Sequence, residues 1–168
     1  METLKNIQNY FVRRLLQVPE STPKPALLSE TGLISMKHRI WTRKLIFVNT
    51  LKNMQDGTLS KEICNELVKR GWQGLAKEAT KICQDLELPN IIQERIGKIK
   101  WESLVKKAVK EKHEEELKEE VDSKTKLAEI KYEDMKRKEY FHRKSLEDTR
   151  LLFRIRTRMV DLKANFKN

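Results

Sequence analysis

Apolar residues in this chain recur at spacings of three and four, and no stretch alternates apolar and polar residues with the β-branched enrichment of a strand. A sheet is therefore not expected, and helices are. The clearest case is residues 145–166. Ser145 stands three residues before Asp148, a capping-box pattern in which hydroxyl and carboxylate satisfy free amides at a helix start. Leu152, Ile155, Met159, Leu162 and Phe166 then share one stripe, with Arg150, Arg154 and Arg158 in a row of fours beside it. The row advances by roughly 6 Å per step, close to the distance between neighbouring phosphates.

Breakers are few, with five Gly and four Pro, so each is informative. Leu4, Ile7, Phe11 and Leu15 mark the apolar face of a first helix. Pro19, Pro23 and Pro25 stop it, since each fixes φ and removes an amide donor. A short helix over 23–31 follows, capped by Thr22 and closed by Gly32. Residues 33–54 read as a long helix with Met36, Ile40, Leu45 or Phe47, Val48 and Leu51 on its apolar side, closed by a turn at Gln55-Asp56-Gly57. Helices over 59–69 (Ile63, Leu67, Val68) and 72–86 (Leu75, Ala79, Ile82, Leu86) come next, with Trp72 as a core anchor and a helical piece from Pro89 to Ile96.

Residues 101–121 differ. Apolar positions thin out after Val109, and Lys and Glu alternate in blocks that place opposite charges four apart. The pattern predicts an exposed, rod-like helix. Residues 134–143 read as a further helix before Ser145. The expected fold is all-α: an elongated multi-helix bundle with a protruding charged helix. Its parts are a bundle over 1–98, a charged rod and connection over 99–133, and basic helices over 134–168 packing back on the bundle.

The net charge of +11 implies attraction to polyanions, nucleic acid first. The surplus sits at the chain ends: residues 1–60 carry +5, 61–98 carry +1, 99–133 carry −1 and 134–168 carry +6. No run of 18 apolar residues occurs, so no membrane span is expected, and the N-terminus lacks the apolar core of a signal peptide. The single cysteines Cys64 and Cys83 fit a reducing compartment, so the expected location is intracellular, nuclear or cytoplasmic.

Catalytic constellations are absent from the sequence. His38, His113 and His142 lie far apart in the chain, no paired-cysteine motif suggests zinc, and no phosphate-cradling loop is present. Neither an enzyme, a metal, a cofactor nor a small-molecule substrate is expected. Arg13, Arg14, Arg39, Arg43, Lys44, Arg150, Arg154 and Arg158 are the candidate phosphate contacts. Trp41, between Arg39 and Arg43, and Tyr140 are candidate stacking platforms. Taken singly, each ring is more commonly core.

Two stretches resemble a known family. Arg14-Leu15-Leu16, Ser21-Thr22-Pro23, Glu30-Thr31-Gly32 and Arg43-Lys44-Leu45 follow the pattern after the polymerase palm in non-LTR (LINE-type) retrotransposon reverse transcriptases. Residues 151–168 look like the helix that precedes the zinc knuckle in the same proteins. The resemblance implies a helical thumb-and-linker region that grips template RNA or target DNA. It also implies a fragment or relic whose palm, if used, is a separate chain. The alternative expectation is a helical protein–protein scaffold using the 101–121 rod.

Overall fold

The computed structural model describes residues 2–70, 74–123 and 138–157. Every regular element among them is a helix: α1 (Glu2–Leu16), α2 (Lys24–Thr31), α3 (Met36–Lys52), α4 (Leu59–Lys69), α5 (Leu75–Asp85), α6 (Lys98–Asp122), α7 (Tyr140–Arg143) and α8 (Leu146–Arg156). The protein is all-α, as its periodicity requires. It divides into two compact units, one of Met1–Met36 with Glu114–Asn168, the other of Lys37–His113. This differs from the division at 98 and 133 read from the sequence: both chain ends belong to one unit, and the boundary falls inside α6.

In unit 1, Ser145 caps α8 as expected. Its Oγ accepts the Asp148 amide at 3.2 Å and donates to the Asp148 carboxylate at 2.8 Å. The buried face of α8 is not the expected one. Thr149, Phe153 and Thr157 are buried, whereas Ile155 is exposed. Met159, Leu162 and Phe166 lie outside the described residues. Phe153 and Ile155 are about 200° apart on a helical wheel, so seating the larger ring turns Ile155 outward. Thr149 and Thr157 can follow Phe153 inward because their hydroxyls donate to the carbonyls of Tyr140 and Phe153.

The same inversion occurs in α1. Asn9, Val12 and Leu16 face inward, and Val12 and Leu16 join Leu27 and Phe153 in the core of this unit. The expected face is open: Leu4 is 42% exposed, Ile7 58%, Phe11 66% and Leu15 47%. Helix α2 is buried from Pro25 through Glu30, and Gly32 closes it in the left-handed conformation (φ 64°).

Glu30 is the polar centre of unit 1. Its side chain is 2% exposed, and its carboxylate accepts a two-pronged contact from Arg156 at 2.9 and 3.3 Å and the Tyr140 hydroxyl at 2.7 Å. Burial, then the hydrogen bond and charge of Glu30, push the Tyr140 phenol far above its ordinary range. In the folded state Tyr140 therefore keeps its proton above about pH 10, where an unfolded tyrosine loses it. The stability from this contact is complete below that pH and is lost as pH rises beyond it. An absorbance titration at 295 nm is expected to show Tyr140 ionising only as the protein unfolds, and Tyr140→Phe should remove that component.

In unit 2, Leu45 and Val48 of α3, Ala79, Ile82 and Cys83 of α5, and Trp101, Val105 and Val109 of α6 form the core with Leu86 and Ile91. Helix α5 buries the expected face. Burial pushes the Cys83 thiol up. Helix α4 does not bury its expected face: Ile63, Leu67 and Val68 are exposed, while Lys61 is buried with its ammonium on the Met54 carbonyl and the Asp56 carboxylate. Residues 91–93 form a turn and the rest of 89–96 is irregular, in place of the expected helical piece. Their carbonyls are collected from outside: the Lys52 ammonium takes those of Ile91, Ile92 and Glu94, and the Asn53 amide takes that of Ile96.

The expected exposed rod is also corrected. Helix α6 buries Trp101, Val105, Val109, His113, Leu117 and Val121, one residue in every four. Steps of four drift by about 40° each, so the stripe winds around the helix and matches neither a heptad nor a fixed face.

Candidate nucleic-acid interface

The C-terminal end of α1 gathers cations. A helix end leaves carbonyls without partners. Here the Val18 and Gln17 amides turn back to the carbonyls of Arg13 and Arg14, and the Arg150 Nε donates to the Leu15 carbonyl at 2.9 Å. This turn-back needs a left-handed residue at position 17, a place suited to glycine, yet Gln17 occupies it with φ 51°. The residues 13, 14 and 150, distant in sequence, thus meet around one helix end.

A polar cleft opens beside this end, lined by Tyr10, Arg13, Arg14, Gln17, Val18 and Glu20, with about 550 Å³ of open volume. Arg13 is held along it: its Nη2 donates to the Thr22 carbonyl at 2.8 Å, while its Nε is buried without a partner. Arg14 is exposed, and the Tyr10 ring is 61% exposed. Arg154 donates to the Arg150 carbonyl at 3.4 Å. Arg158 lies outside the described residues. Among the described residues, Arg13, Arg14, Arg150 and Arg154 form no ion pair with a carboxylate; their visible hydrogen bonds go to backbone carbonyls, which leave the positive charge uncancelled.

Unit 2 carries a separate row. Arg39 and Arg43 are exposed one turn apart on α3. The Lys106 hydrogen bond and charge hold the Glu102 carboxyl below its ordinary range, and the Arg43 charge adds to them. Lys44 is different: its ammonium is paired with Glu78. Trp41 packs partly buried against the unit 2 core. Its ring meets the edge of His38 at 5.3 Å, and the Lys37 ammonium sits 4.6 Å from its centre. His38 and His113, remote in sequence, are both buried with ring centres 4.8 Å apart.

Tyr140 is corrected as an open stacking platform. Its hydroxyl is engaged by Glu30, and its ring stacks on Phe141 at 4.6 Å. The exposed aromatic that lines the cleft with Arg13 and Arg14 is Tyr10, which sequence reasoning missed. The signal was there: Tyr10 precedes Arg13 and Arg14 by three and four residues, the spacing of neighbours on a helix surface.

Among the described residues no group of three side chains could hold a metal ion, and no helix is long and apolar enough to cross a membrane. The chain matches no protein-family model, no curated protein and no solved structure.

Proposed function

We propose that this chain is a non-catalytic helical module that grips nucleic acid through its phosphates, related to the post-palm region of LINE-type reverse transcriptases. The observation that carries the reading is the cluster of Arg13, Arg14 and Arg150 at the end of α1, none paired with a carboxylate among the described residues. A surplus of +11 adds long-range attraction.

Phosphate binding releases counterions, so affinity should fall steeply as salt rises, by roughly 0.7–0.9 log units per phosphate contact for each log unit of salt. Arg14, Arg39 and Arg43 are exposed, so replacing them spares the fold. R14Q/R39Q/R43Q is expected to lower that slope by about 2 and to weaken binding on RNA or DNA alike. A flat salt response of the unaltered chain would overturn the proposal.

A second reading, a helical scaffold for another protein, is favoured by the open apolar face of α1. A protein companion that stays on the chain after nuclease digestion supports it.

A further inference from the structure

The cleft at the end of α1 has a shape and a chemistry that a row of surface cations lacks. We propose that it holds one unpaired nucleotide, with the base stacked on Tyr10 and the phosphate against Arg13 and Arg14, so that the chain prefers single strands to duplex. This inference rests on the nucleic-acid reading above and narrows it to one class of ligand.

The first argument is the ring. Tyr10 is 61% exposed, and Tyr10, Arg13 and Arg14 line one cleft. A tyrosine face in water is an available stacking surface, and every base has a face to offer it. A paired base does not, because its faces are covered by its neighbours in the duplex. The second argument is size. About 550 Å³ accommodates a base with its sugar and phosphate, whereas a duplex would touch only the rim.

The third argument is the arginine pair. Arg13 is fixed by its contact with the Thr22 carbonyl and has a buried Nε with no acceptor. An anion drawn in beside Arg14 would find a guanidinium already oriented. Glu20, also in the lining, repels phosphate from its own side, so the phosphate lies toward the arginines and the amino edge of the base toward Glu20 and Gln17. The fourth argument is strain. Gln17 occupies a left-handed position where glycine would be relaxed, and its side chain is part of the lining. A residue kept at a conformational disadvantage beside a cleft is what a ligand contact would explain.

The test is fluorescence anisotropy on the full chain with labelled single-stranded RNA, single-stranded DNA and the corresponding duplexes, at matched salt. Both single strands are expected to bind about tenfold more tightly than duplex, the size of one stacked base. Tyr10→Ala should bring that ratio close to one, and Tyr10→Phe should preserve it. Gln17→Gly should raise the unfolding midpoint while weakening single-strand binding. Equal, salt-sensitive binding of single strands and duplex, indifferent to Tyr10→Ala, would overturn this inference and leave phosphate binding standing. No binding of either form at low salt would remove both.

Discussion

Trp101→Ala is expected to cost about 4 kcal/mol, the typical loss for deleting a buried tryptophan. Trp101 is fully buried in the first turn of α6, among residues drawn from α3 and α5. Its indole N–H donates to the Leu45 carbonyl at 3.0 Å, tying α6 to α3 across 56 positions of sequence. Removing the ring leaves a cavity that three separate elements would have to close, and α-helices collapse poorly into such gaps. Trp101→Phe keeps most of the packing and loses the donor, so it should cost only about 1–2 kcal/mol. Urea unfolding followed by circular dichroism separates the two. A Trp101→Ala loss no larger than that of Trp101→Phe would mean that the ring is not the keystone of this core.

The second large effect concerns unit 1. Arg156→Met is expected to cost about 3 kcal/mol, because removing one member of a buried pair strands the other charge. The asymmetry of exposure decides which member matters. The Arg156 side chain is 45% exposed and can return to water, whereas that of Glu30 is 2% exposed and cannot. Without Arg156, the Tyr140 hydroxyl is left to satisfy the carboxylate. Glu30→Gln should therefore be milder, at about 1–2 kcal/mol, since it removes the charge along with part of its hydrogen bonding. Combining the two should cost less than their sum, since each change removes the penalty of the other. A milder Arg156→Met than Glu30→Gln would reverse this account.

The fold class was legible because helical periodicity needs only local information. The positions of α3, α4, α6 and the Ser145 cap followed from spacing and breakers. Which face each helix buries was legible only where one apolar arc exists, as in α5. Helix α1 has two such arcs, and the choice between them is made by Leu27 and Phe153, the latter more than a hundred residues away. In α8 the Phe153 ring is seated in the core and Ile155 is turned outward. The tilted contact of the His38 and His113 rings, and the engagement of Tyr140 by Glu30, are long-range contacts with no local signature. Within the candidate interface, Arg13 and Arg14 were found by charge. Tyr10 has its arginines on one side only in sequence, at positions 13 and 14, so it is the turn of the helix that sets it beside them.

Unit 1 is assembled from the two ends of the chain, with all of unit 2 between them. On the ribosome, α1 and α2 emerge before Phe153 and must wait for it before Val12, Leu16 and Leu27 gain their partner. At ordinary rates of synthesis that delay is on the order of several seconds, far longer than helix formation. Unit 2 is complete in the nascent chain before its neighbour can close. The early apolar surface of α1 is therefore a natural stop for chaperones during translation.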